Sequence, residues 1–248
     1  MSAFKNKVAV VTGGNSGIGF AAAQELKLQG AQVVITGRRK EALQTAATSL
    51  GVEHYPSDQG SLLDTDALVN HLSSQYRKID VLIVNAGVAS FQPIAHTSEE
   101  VFDNMMNINF KGAFFTLQKF LPILNDGAAI VLISSNSATM ASPGTSVYSA
   151  SKAALSTLMR IAAVEFAPRK IRVNVISPGP TETEMPRKFG FDEQTLKGMR
   201  EAITQQVPLA KIGTPKDVAL LALYLANNET SSFITGAEFF IDGGMNIK

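Results

Sequence analysis

The sequence predicts an α/β fold: a doubly wound parallel sheet of seven strands with helices on both faces. Three observations carry this. Short apolar runs alternate with amphipathic stretches along the whole chain, which is the pattern of repeated strand–helix units. The runs near residues 8, 81 and 130 are almost continuously apolar, as in strands covered on both faces. Polar residues gather just after the runs, where open parallel sheets bind ligands.

The first strand, "KVAVVT" at 7–12, runs into Gly13-Gly14 and a helical pattern at 18–29. "QVVIT" at 32–36 is followed by Gly37 and Arg38, and "VEHYP" at 52–56 by Asp58 and a helix at 61–77. "DVLIV" at 80–84 leads to Asn85. A helix is expected at 98–124, with Thr97 and Glu100 fitting a capping box. "AAIVLISS" at 128–135 ends on Ser135, before a helix at 145–167. "IRVNVIS" at 171–177 ends at Pro178-Gly179, and "AEFFID" at 237–242 closes the set. Residues 181–211 break the rhythm and read as an insertion within one domain spanning 1–248, expected to act as a substrate lid.

Composition narrows the function. The 248 residues are 45% hydrophobic, enough for a sizeable core. A formal net charge of +1 gives no support to a nucleic-acid or membrane-surface role. With no cysteine there is no disulfide, thiolate nucleophile or Cys-ligated metal. His54, His71 and His96 have no metal-like spacing, so no metal is expected. The opening residues enter a strand at once and leave no room for a signal peptide, and no apolar run reaches the ~18 residues of a membrane span. A cytoplasmic protein is expected.

"VTGGNSGIGF" follows a strand and opens a helix. Glycines 13, 17 and 19 allow a tight turn and close backbone approach, and a helix N-terminus favours a phosphate. The plainer reading is a turn that packs helix on strand. After the second strand an acidic residue would bind an adenosine ribose, whereas an arginine suits a 2′-phosphate. Gly37 stands at the acidic position, with Arg38 and Arg39 next, so NADP(H) is favoured over NAD(H). The alternative is a solvated basic helix start. Asp58 could reach the adenine or cap the following helix.

Two helices break the apolar pattern. The stripe Phe102, Met106, Ala113, Leu117, Phe120 contains Asn109. A buried amide needs partners, either as a structural asparagine or as part of a site. In "SVYSASKAAL", Tyr148 and Lys152 lie one turn apart on a face shared with Leu155, Met159 and Ala162. An ammonium near a phenol lowers the phenol's pKa and lets it exchange a proton near neutrality; the bland reading is a snorkelling lysine beside a packed tyrosine. The serines and alanines around the pair let a ligand and neighbouring helices approach closely. Ser135 could hold a substrate oxygen or bond its own loop.

The chain resembles the short-chain dehydrogenase/reductases of the ~250-residue type over nearly its full length. The resemblance rests on "TGGNSGIG" (12–19), "NAG" (85–87), "NINFKG" around Asn109, "ISS" ending at Ser135, "YSASK" (148–152), "SPGPTET" (177–183) and "ITGAEFFIDGG" near the end. It is similar in particular to 3-oxoacyl-[acyl-carrier-protein] reductase-like members. The resemblance implies a Rossmann-type fold and a homotetramer. It implies that Tyr148 is the general acid or base, that Lys152 holds the nicotinamide ribose and favours the tyrosinate, that Ser135 orients the carbonyl, and that Asn109 holds a water in a proton relay. Ser135 is preferred to Ser134 because it lies thirteen residues before Tyr148, the family interval.

The implied cofactor set is Gly13, Asn15, Ser16, Gly17, Ile18 and Gly19, then Arg38 and Arg39. Asp58, Asn85, Ala86 and Gly87 fall on the adenosine side, Tyr148, Lys152, Pro178, Gly179 and Thr181 also belong to the set, and Thr183 lies near the nicotinamide. Two departures stand out. Val84 replaces a common asparagine, and Ser16 stands where many NADP-dependent members carry a basic residue.

The reaction implied is hydride transfer between a nicotinamide cofactor and a small-molecule carbonyl or alcohol. Met185, Phe189, Phe191 and Met199, with Ser90, Phe91, Ser137 and Met140, would wall a mainly apolar pocket. The alternatives are an NAD(H)-dependent member of the family, an epimerase or dehydratase of the longer related type, for which the chain lacks the length, and a non-catalytic dinucleotide sensor.

Overall fold

The computed structural model describes residues 3–183 and 192–247. Among them, strands β1 (Val8–Thr12), β2 (Gln32–Gly37), β3 (Glu53–Pro56), β4 (Ile79–Val84), β5 (Leu124–Ile133), β6 (Arg172–Pro178) and β7 (Glu238–Ile241) form one sheet in the order β3-β2-β1-β4-β5-β6-β7. Every pairing is parallel. The order reverses beside β1, which lies between β2 and β4. A crevice opens there at the carboxyl edge. This is the Rossmann-type sheet the alternation predicts.

Alternate residues of each strand point to opposite faces. Ala9, Val11, Val33, Ile35, Val81 and Ile83 pack on one face with α1 (Gly17–Leu28), α2 (Lys40–Leu50) and α8 (Pro215–Ala226). Val10, Val34, Leu82, Val84, Ile130 and Leu132 pack on the other. They meet α3 (Leu62–Gln75), α5 (Gly112–Phe120) and α6 (Ser146–Phe166). Both faces are dry, so all five residues of β1 are buried and the strand reads as unbroken apolar sequence. Helix α8 starts on a full capping box between Thr214 and Asp217, with Pro215 at its first position.

The expected helix at 98–124 is interrupted. Helix α4 (Glu99–Met106) passes into a π turn (Asn107–Lys111) before α5, and residue 124 already belongs to β5. The extra residue of a π turn rotates the rest of the helix by about 100°. The buried stripe therefore runs through Met105 before the turn, Ile108 and Asn109 within it, and Ala113, Leu117 and Phe120 after it. Phe102, expected in the stripe, is 47% exposed. The capping box at Thr97 and Glu100 does not form; Ser98 is the N-cap and accepts from Val101 N–H. The inserted stretch contains helix α7 (Glu193–Gln206), none of whose residues is buried. Met185, Phe189 and Phe191 lie outside the described residues.

Candidate active site

The two strands flanking the crevice are tied together at their carboxyl ends. Thr12 Oγ1 accepts from the N–H groups of Asn85 and Ala86, both at 3.0 Å. Asn85 Nδ2 donates back to the carbonyls of Thr12 and Gly13 at 2.9 and 3.1 Å. Between them the glycine loop turns on Gly13 and Gly17, with φ of 65° and 56°. A side chain at position 19 would place its Cβ 2.3 Å from the Gly13 carbonyl oxygen, so only glycine lets α1 start this close to β1. Ser16 caps α1 without a side-chain hydrogen bond, leaving the helix N-terminus to face the crevice.

The resulting cavity of about 210 Å³ is lined by Gly13, Asn15, Ser16, Gly17, Ile18, Arg38, Arg39, Asp58, Asn85, Ala86 and Gly87. Thr183 also lines it, whereas Tyr148, Lys152, Pro178, Gly179 and Thr181 do not. These residues fit a dinucleotide. Asn15 Nδ2 is buried with no acceptor, a cost of about 1–3 kcal/mol that a ligand oxygen would remove. Gly37 brings no carboxylate, and a Cβ there would lie 3.0 Å from Asn15 Oδ1. Arg38 and Arg39 are exposed at the rim. Asp58 does not cap α3. Its Oδ1 accepts from Gly60 N–H at 2.9 Å, and Ser61 is the cap.

Beyond Gly87 lies the second cluster. Lys152 points inward from α6 and donates to the Ile133 carbonyl at 2.9 Å; its Nζ is 5.9 Å from the Tyr148 ring centre. Burial pushes its pKa down to about 8. Ser135, two residues past the end of β5, accepts from Ser137 N–H at 3.2 Å and hydrogen-bonds Tyr148. Burial raises the Tyr148 pKa, and the Ser135 bond opposes that rise. The expected lowering by the lysine is not among the causes of this shift: desolvation dominates, and the Ser135 bond is what opposes it. Phe91 meets the Tyr148 ring edge-on at 5.8 Å.

Asn109 is buried and fully paired. Its Oδ1 accepts from Val88 N–H at 2.8 Å; its Nδ2 donates to Val88 O at 2.9 Å and to Ser151 Oγ at 3.0 Å. Ser151 Oγ in turn donates to the Tyr148 carbonyl at 2.7 Å. The amide thus braces the strand edge beside Gly87 against α6, which is the structural reading of this residue. Sequence reasoning missed Thr12, Gln59 and Ser151. The signal for Ser151 was present, since it lies three residues after Tyr148 on the buried side of α6. Met199 lines an adjoining cavity of about 880 Å³ between α1 and α7, with Phe20, Leu196 and Ile203; it shares Gly17 and Thr183 with the first, and none of the four candidate catalytic residues lines it. His71 stacks on Tyr55 at 4.7 Å, a packing role. No metal-binding cluster is present among the described residues, and no helix there is long and apolar enough to cross a membrane.

A proton donor and a cation thus stand beside a phosphate-ready groove, an arrangement suited to moving a proton next to a bound dinucleotide. Comparison with known proteins agrees. A family model described as enoyl-(acyl carrier protein) reductase matches residues 13–246. Oxidoreductase asL5 of Sarocladium schorii is 38% identical, over 96% of this chain and 95% of that one. The NADP-dependent (R)-specific alcohol dehydrogenase of Lentilactobacillus kefiri is 34% identical, over 97% and 96%. The crystal structure of a Brucella melitensis short-chain dehydrogenase/reductase, described as a glucose/ribitol dehydrogenase, superposes with a TM-score of 0.91 at 31% identity, over 98% of both chains.

Proposed function

The chain belongs to the short-chain dehydrogenase/reductase family of oxidoreductases, and on that premise we propose that it reduces a small-molecule carbonyl, or oxidises the corresponding alcohol, with NADP(H). The observation that carries this is the hydrogen-bonded Ser135–Tyr148 pair, with the Lys152 ammonium beside it at the inner end of the groove.

When bound, the nicotinamide supplies or accepts the hydride. In the reducing direction Ser135 holds the substrate oxygen and Tyr148 gives it a proton from its hydroxyl. Lys152 is largely protonated below its pKa of about 8, and the family resemblance implies that this cation, 5.9 Å from the Tyr148 ring centre, favours the phenolate left behind. Asn109 keeps Val88 and α6 at a fixed spacing, and the family resemblance implies that it also holds a water in a proton relay. Helix α7 acts as the lid. Phe91, edge-on against the Tyr148 ring, supports an apolar ketone or acyl substrate. Exposed Phe102, Phe114, Ile161 and Val164 on α4, α5 and α6 offer apolar surface for the homotetramer that the family resemblance implies.

NADP(H) rather than NAD(H) is supported by Gly37, which brings no carboxylate, by Arg38 at the rim, and by the cofactor in the Lentilactobacillus kefiri relative's name. Losing one charged hydrogen-bonding partner costs about 1.5–3 kcal/mol, roughly ten- to hundredfold in affinity. Arg38→Ala should weaken NADPH by that factor and leave NADH nearly unchanged. The check is kcat/KM for both cofactors across a panel of ketones, 3-oxoacyl thioesters and sugars. A wild-type preference for NADH would favour the NAD(H) reading, to which Ser16 in place of a basic residue is suited. No turnover with any carbonyl would favour the non-catalytic sensor.

A further inference from the structure

Three segments line the inner half of the groove: the loop after β3, the end of β4 and the π turn. One side chain joins all three. Gln59, 7% exposed, donates from Nε2 to the Ala86 carbonyl at 3.0 Å and to the Ile108 carbonyl at 3.2 Å. The orientation of the amide is fixed by this environment, because turning it over would set its oxygen against two carbonyl oxygens. Its Oε1 is consequently left buried with no donor. A position that keeps an unpaired acceptor is one where the other bonds outweigh the loss, and such local conflict is expected where function sets the residue.

The contact is reinforced from both sides. Asn107 Nδ2 donates to the Gly60 carbonyl at 2.9 Å, so the loop and the π turn exchange amide bonds. A side chain at position 112 would bring its Cβ to 2.2 Å from the Gln59 carbonyl oxygen; Gly112 lets the loop seat against the start of α5. π turns are uncommon and need outside support to hold their widened spacing. This one carries Asn109, whose amide clamps Val88 and reaches Tyr148 through Ser151.

We infer that Gln59 is a positioning residue for the reaction: its amide holds the π turn in register with the Ala86 edge of the groove, and through Asn109 it sets the distance between groove and catalytic helix. This rests on the reading of Asn109, Ser135, Tyr148 and Lys152 as the reaction centre. A displacement of about 1 Å at such a centre can cost on the order of a hundredfold in rate.

The test is Gln59→Met, which keeps length and packing but removes the donor. Two readouts are taken on the full-length protein. The first is steady-state kinetics with NADPH and the best carbonyl of the panel. The expected result is a fall in kcat of about ten- to hundredfold, with the carbonyl KM and the NADPH Kd changed by less than about threefold. The second is hydrogen exchange without any ligand, in which the amides of Asn107–Lys111 and of Val88 should lose protection selectively while β1, β5 and α8 keep theirs. Unchanged kcat per folded molecule together with unchanged protection at the π turn would overturn the inference, and so would a uniform loss of protection across the sheet. If the wild type turns over no carbonyl, the proposed function falls, and the exchange readout still decides whether Gln59 holds the π turn.

Discussion

Burial holds the Lys152 ammonium at a pKa of about 8, against 10.5 for a free lysine. Below pH 8 the group is protonated in both folded and unfolded chains, so the folded protein carries the full burial cost, roughly 3 kcal/mol. Between pH 8 and 10.5 the unfolded chain keeps a proton that the folded chain has lost, so this contribution to stability rises with pH. Lys152→Met removes the charge; the Ile133 carbonyl loses its donor, which takes back about 1 kcal/mol. The variant should therefore be more stable than wild type near pH 7, by about 1–3 kcal/mol, and inactive, with the stability gap closing as pH rises towards 10. Denaturant unfolding of both proteins across that range checks this, and a gap independent of pH would contradict it. The spacing of Tyr148 and Lys152 was legible from sequence. The dominant effect on Tyr148 was not, because desolvation depends on what α6 packs against.

At the scale of elements, β1, β4, β5 and β6 were legible because they are covered on both faces and so read as largely apolar sequence, whereas the edge strand β3 is mostly exposed and was marked by its place in the alternation. The interruption between α4 and α5 was not legible. A π turn has no local composition signal; its support comes from Gln59 and Val88, far away in sequence, and only Asn109 standing in an apolar stripe hinted at it. Helix α7 makes the opposite case. Its apolar positions, Leu196, Met199 and Ile203, face a cavity, and its exposed Arg200–Glu182 ion pair is worth no more than about 1 kcal/mol. Amides of Glu193–Gln206 should therefore exchange quickly in the free protein and slow markedly with cofactor and a substrate analogue bound. Equal, high protection in both states would count against a lid.

At the scale of the molecule, the sheet order places the ends of β1 and β4 on either side of the crevice, with β5 next to β4. That is why motifs more than a hundred residues apart in sequence, the glycine loop and Tyr148 among them, meet at one edge. Their gathering after the strands was readable in the chain, since parallel strands all end on the same side. The polar bonds that lock the edge together were not, because each pairs side chains with distant backbone. The central claim is that this edge performs hydride transfer with Tyr148 moving the proton. Its most direct test is turnover by Tyr148→Phe, which keeps the ring against Phe91 and removes only the hydroxyl. The expected outcome is a folded protein that binds NADPH with nearly unchanged affinity and reduces the carbonyl about 10²- to 10⁴-fold more slowly; a folded variant with near-normal turnover would contradict it.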